Sequence, residues 1–111
     1  MKKISNAAGT FLTGTALADA IMEYATALWN QRRVAFVDIP FVNGQGVIER
    51  AQFLIGWANQ IATVSARSVG AELREPETEK VLRTEAKRTI GVINAQPVES
   101  PDNTFFAPYE L

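Results

Sequence analysis

The chain has 111 residues, of which 47% are hydrophobic and 21% are charged, and its eleven Lys and Arg against twelve Asp and Glu give a net charge of −1. This size and composition are ordinary for one globular domain and exclude a disordered chain, a collagen and a coiled-coil rod. The near-zero charge gives no general attraction to nucleic acid or an anionic membrane. Cys and His are both absent, which excludes disulfides, thiol nucleophiles, imidazole bases and zinc fingers.

Residues 1–14 are small, polar and glycine-containing, and we predict an irregular lead-in to the domain. Lys2 and Lys3 could begin a secretory leader, but Ser, Asn, Thr and Gly interrupt the apolar core that a leader needs, so none is expected. No run approaches about 18 apolar residues, so no transmembrane helix is expected. The expectation is a soluble, cytoplasmic protein.

Residues 15–31 carry the clearest helical pattern. Thr13 or Thr15 can cap its first turn through a side-chain hydroxyl. Apolar residues recur at spacings of three and four and form an unusually broad face, which needs more cover than one small sheet provides. The residues of this face are Leu17, Ala20, Ile21, Met22, Tyr24, Ala25, Leu28 and Trp29.

Residues 34–42 are β-branched and aromatic and predict a strand, in which Pro40 favours an edge or a side that is locally unpaired. The glycine-containing segment 43–46 predicts a tight reversal, and 47–56 the returning strand of a hairpin. We predict a third strand over 61–67. A helix over 51–66 remains an alternative, because short apolar runs also fit helical spacing there.

Residues 76–91 predict a second helix that lies on the surface, starting at Pro76 and ending at Gly91. Residues 92–111 contain three prolines and predict an irregular tail. Phe105, Phe106 and Tyr109 are costly to leave in water, so this tail can dock on the domain or on a partner.

Together these elements predict a small two-layer α+β domain. It has an N-terminal amphipathic helix, an antiparallel hairpin or meander of two to three strands, and a second surface helix. The boundaries are an irregular lead-in over 1–14, a single domain over 15–91, and an irregular tail over 92–111. The helix–sheet–helix order is similar, in architecture alone, to that of small secretion chaperones that bind unfolded segments of other proteins.

The sequence supplies no convincing catalytic set. Residues 9–15 resemble a phosphate loop, but Thr15 stands where the mechanism needs Lys. Asp19 and Glu23 form a carboxylate pair on one helix, and Asp38 is the lone charge in its strand, yet both patterns are typical of solvated surfaces. We therefore predict no catalytic residue, no cofactor and no metal site.

The surplus of apolar residues favours association. One helix shields one face of a small sheet, and the other face would be left as a large apolar patch. We predict a homo-oligomeric interaction module, chaperone-like or structural, which self-associates or binds a protein partner and has no membrane contact. The predicted interface residues are Tyr24, Leu28, Trp29, Phe36, Val42, Ile48, Leu54, Trp57, Phe105 and Phe106.

Two alternatives remain open. The first is a small-molecule-binding protein or an enzyme that uses carboxylate and Arg groups in a cleft between subunits. The second, and the least favoured, is nucleic-acid binding through Arg32, Arg33, Arg50 and Arg67, because basic residues are not clustered along the sequence.

Overall fold

The computed structural model describes residues 1–67 and 70–95, and the side chains within these ranges up to residue 90. These residues form an α+β domain, which confirms the predicted class. Its elements in chain order are β1 (Lys2–Asn6), β2 (Gly9–Thr13), α1 (Thr15–Asn30), β3 (Val34–Val42), β4 (Ile48–Gly56), β5 (Ala62–Ser65) and α2 (Pro76–Ala95).

The strands form one antiparallel sheet in the order β4-β3-β2-β1-β5. β3 and β4 pair along their whole length, from Val34 opposite Gly56 to Val42 opposite Ile48. β2 and β3 are in register only where Leu12 meets Val42. β3 therefore has one side largely without a strand partner among the described residues, as Pro40 within it predicts.

The sheet is strongly curved, and the pairing shows why. In a flat sheet, strand spacings of ~4.8 Å and a rise of ~3.3 Å per residue would separate Gly56 from Ala62 by roughly 35–40 Å. The residues between them, 57–61, can span only about 20 Å. The sheet must therefore bend until the free edge of β4 approaches the end of β1 and the start of β5.

The core lies between the concave side of this sheet and α1, which contacts β1, β3 and β4. Aliphatic side chains of α1 meet alternate residues of the strands there, with Phe53 as the largest ring. The second helix, α2, packs against α1. The two helices run in the same direction, because Glu72, just before α2, bonds Thr15 at the start of α1, while Arg83 further along α2 pairs with Glu23.

The prediction of an irregular lead-in over 1–14 is wrong, because these residues form the hairpin of β1 and β2. The hairpin also pairs with a strand distant in sequence, because Ser5 lies opposite Thr10 on one side and Ala62 on the other. The buried hydroxyl of Thr13 donates a hydrogen bond of 2.8 Å to the carbonyl oxygen of Pro40, which connects β2 to β3.

The predicted hydroxyl cap of α1 is also wrong. The N-cap residue is Gly14, which has no side chain, and the carboxylate of Glu72 accepts the backbone N–H of Thr15 instead. A Cβ atom at Gly14 would lie 1.7 Å from the carbonyl oxygen of Leu73, so only glycine allows this approach. The Met1 amino group, 2.9 Å from Glu72, and the Thr15 N–H lower the pKa of Glu72 to about 2.

The remaining predictions concern the second half of the chain. The strand interpretation of 51–66 is confirmed, with β4 continuing to Gly56 and β5 following over Ala62–Ser65. The second helix starts at Pro76 as predicted but continues past Gly91 to Ala95. The predicted tail beyond it, including Phe105 and Phe106, lies outside the described residues.

Candidate interaction surfaces

The β3–β4 hairpin carries large apolar side chains on the face that points away from α1. Phe36 is 73% exposed, Ile48 is 59% exposed and Leu54 is 47% exposed, whereas Val42 is half-buried. Phe36 pairs directly with Leu54, and Val42 pairs with Ile48. These four residues, which we call the outer face, were predicted for the interface, and the structure places them together.

The outer face continues across the other strands at one level of the sheet. Ile48 lies opposite Val42, Val42 opposite Leu12, Leu12 opposite Lys3, and Lys3 opposite Val64. Since directly opposed residues lie on the same face of a sheet, they form one row across all five strands. Lys3 is the one charged side chain in this row.

A polar belt divides the outer face into two apolar zones. The Arg50 guanidinium lies 2.8 Å from the carboxylate of Asp38 and 2.7 Å from that of Glu75, and the Gln52 amide donates to Asp38 at 2.8 Å. The hydrogen bonds from Gln52 and Arg50 lower the pKa of Asp38. The hydroxyl of Thr78, followed by Arg50, lowers the pKa of Glu75. Both carboxylates are thus held in their charged forms beside one cation.

Comparisons of the chain with protein-family models, curated proteins and solved structures found no match.

The rings of Trp29 and Trp57 are in contact next to the end of the β3–β4 hairpin where Val34 pairs with Gly56. The ring centroids of Trp29 and Trp57 are 5.2 Å apart, and the Arg32 guanidinium carbon lies 5.1 Å from the centroid of the Trp57 ring. Gly56 makes this arrangement possible, because it has φ +111° and a Cβ atom there would lie 2.3 Å from the carbonyl oxygen of Arg33. Both indoles remain partly exposed, so this cluster is surface rather than core.

An open groove of about 1360 Å³ lies where the curved sheet fails to close. The last turns of α1, the β4 edge, the end of β1 and the segment before β5 line it, with Met22, Trp29, Phe53 and Ile61 among its apolar residues. Phe36 and Leu54 also line it, so the groove borders the outer face at these two residues. All the polar residues that line it are uncharged. The side-chain amide nitrogen of Asn6 is buried there and has no hydrogen-bond acceptor among the described residues.

Some predicted interface residues lie elsewhere. Leu28 is only 2% exposed and belongs to the core, because α1 is covered by both the sheet and α2, so its assignment to a surface is wrong. Tyr24 is half-buried and packs against the core, and burial raises the pKa of its phenol. The groove was not predicted from the sequence, since its walls come from elements far apart along the chain.

The carboxylates that were weighed as catalytic candidates have structural partners. Asp19 accepts a hydrogen bond from Lys2 at 2.6 Å, Glu23 pairs with Arg83 at 3.4 Å, and Asp38 belongs to the polar belt. Across residues 1–67 and 70–95, no three Asp or Glu side chains form a group that could hold a metal ion. Among the same residues, no helix is long and apolar enough to cross a membrane.

Proposed function

We propose that this protein is an interaction module that self-associates through the outer face of its sheet. The observation that carries the proposal is the exposure of Phe36, Ile48 and Leu54 on one face of a regular hairpin. Exposed apolar patches bordered by polar residues are typical of protein interfaces, and this face carries one on each side of the polar belt. Neither α1 nor α2 covers this face, because both helices lie on the other side of the sheet.

The polar belt supports a symmetric pairing. A two-fold interface brings the same surface of both copies together, so each charged group must meet a complementary one. The belt carries Arg50 between Asp38 and Glu75. Two copies can therefore approach with the Arg50 of each beside a carboxylate of the other, while the apolar zones on both sides of the belt exclude water. We propose that this association takes place in the cytoplasm, and a chain that cannot form disulfides is compatible with that compartment.

Sedimentation equilibrium over a range of micromolar concentrations tests the proposal. The wild-type chain should be heavier than its 12.2 kDa monomer, and Phe36→Thr combined with Leu54→Thr should shift it towards the monomer. Threonine suits an exposed strand position, so the variant should keep its fold. The matched control is Val81→Gln, which removes a similarly exposed apolar side chain from α2. A wild-type chain that is monomeric throughout, or equal effects of the two variants, would contradict the proposal.

A further inference from the structure

The chemistry of the groove selects an uncharged occupant. Its polar side chains within the described residues are amides and hydroxyls, such as Thr26, Asn59 and Gln60, and none is charged. A phosphate or a carboxylate would find no cation there. Amide side chains offer donors and acceptors together, as a peptide backbone requires, and the apolar residues between them suit large uncharged side chains.

The groove also runs along an unpaired strand edge. β4 pairs with β3 on one side and, among the described residues, with no strand on the other. Gln52, Phe53 and Leu54 of this strand line the groove. An extended peptide can add to such an edge through main-chain hydrogen bonds.

We propose that residues 103–109 of this same chain bind in the groove as an extended segment. This segment contains Phe105, Phe106 and Tyr109 and no charged residue, whereas Asp102 and Glu110 flank it directly. Its composition therefore matches the uncharged, partly apolar lining. Binding there buries aromatic surface of the segment together with exposed surface of Trp29.

The direction of α2 brings this segment within reach. From the level of the Arg83–Glu23 pair, α1 continues to Asn30 and α2 continues in the same direction to Ala95. At about 1.5 Å per residue, α2 ends slightly beyond the end of α1 that lines the groove. Residue 103 can lie roughly 25 Å from Ala95 when extended, and passing around α1 requires only about 10 Å.

Disulfide trapping in the full-length chain tests the proposal, because the sequence contains no other cysteine. The test pair is Thr26→Cys in the groove with Ala107→Cys in the segment. The control pair joins Val81→Cys, an exposed position of α2, to the same Ala107→Cys. The twelve residues after Ala95 can span about 40 Å, and Val81 lies only about 21 Å from Ala95 along the helix, so residue 107 can reach it. A bound segment has a high effective concentration at position 26, so the test pair should close within one chain about tenfold faster than the control pair.

Substitutions within residues 103–109 provide a second test of the proposal. Phe105→Ser with Phe106→Ser should lower the closure rate of the test pair to that of the control pair, and Val98→Ser should not. The same double substitution, made without cysteines, should speed hydrogen exchange at residues 52–54. Equal closure rates of the two pairs, a disulfide formed between two chains, or unchanged exchange would overturn the proposal.

Discussion

The two faces of the β3–β4 hairpin are built from similar residues but lie in different surroundings. On the inner face Val37, Ile39, Phe53 and Ile55 are all buried beneath α1. On the outer face Phe36, Ile48 and Leu54 are exposed, although they are as apolar. An antiparallel sheet that faces water usually carries polar residues on its open side. This difference between the two faces is the reason for proposing that the outer face contacts another surface.

The largest expected effect is a difference in stability between substitutions at two neighbouring residues of β4, Phe53 on the inner face and Leu54 on the outer face. Phe53→Ala removes a buried ring that stacks on Phe11 at a centroid distance of 5.7 Å, and it should lower the free energy of unfolding by ~3–5 kcal/mol. Leu54→Ala, one residue along the strand, should cost about 1 kcal/mol or less in the monomer, since its side chain is half in water.

Chemical denaturation at concentrations below the onset of association measures both values. Leu54→Ala has a second expected effect, a loss of self-association at higher concentration, which Phe53→Ala should not show while it remains folded. Similar losses of stability for the two variants would mean that the inner and outer faces are wrongly assigned.

The hairpin was predictable because its signals are local. The alternation of Phe36 with Val37, and the Asn43 to Gly46 reversal, are sufficient to place β3 and β4. The N-terminal hairpin could not be predicted, because residues 1–14 have the composition of a loop. In addition, β1 pairs with β5, about 60 positions away along the chain. Strand pairing of this kind supplies stability that no local propensity reveals.

The interaction surfaces were predictable to different degrees. Strand periodicity placed Phe36 and Leu54 on the outer face, since alternate residues of a strand share a side. It could not place Leu28, because a helix covered by both a sheet and a second helix buries more than one stripe. The groove depends on sheet curvature, which follows from the short connection between Gly56 and Ala62 and from register that only the structure shows.

The carboxylates of Glu72, before α2, and Asp38, on the outer face, should contribute differently to the pH dependence of stability. The pKa of Glu72 is lowered to about 2, and the pKa of Asp38 is also lowered. A carboxyl group whose pKa is lower in the folded state stabilises the fold above its unfolded pKa, and this contribution is lost as the pH falls towards the folded value. Stability should therefore decline between about pH 4.5 and pH 2.

Glu72→Gln should remove more of this decline than Asp38→Asn. Both carboxylates are about equally exposed, but their partners differ. Glu72 connects Met1, whose side chain is buried, to the first turn of α1, whereas the partner of Asp38 is the exposed Arg50, and solvent weakens such an ion pair. Urea midpoints measured across this pH range provide the comparison, with Glu77→Gln as a variant that removes a glutamate without removing those contacts. A steeper decline in Glu72→Gln than in the wild-type chain would show that the sign is wrong.

Substitution of Arg50 should change the free energy of unfolding least of all. It should nevertheless weaken self-association. The partners of Arg50 keep other hydrogen bonds, from Gln52 to Asp38 and from Thr78 to Glu75, and the ion pairs are exposed, so Arg50→Met should cost only about 0–1 kcal/mol. The matched control, Arg83→Met, breaks the exposed pair with Glu23 on the helical side of the domain and should cost a similar amount.

Self-association should separate these two variants in sedimentation experiments at several salt concentrations. Arg50→Met removes the cation that each copy would place beside a carboxylate of the other, so two acidic belts then face each other across the interface. We expect weaker association at low salt and recovery at high salt, where the added methionine strengthens the apolar contact and the repulsion is screened. Arg83→Met should leave association unchanged at both salt concentrations, because Arg83 lies away from the outer face. If Arg50→Met behaves like Arg83→Met, the two copies do not meet through the belt.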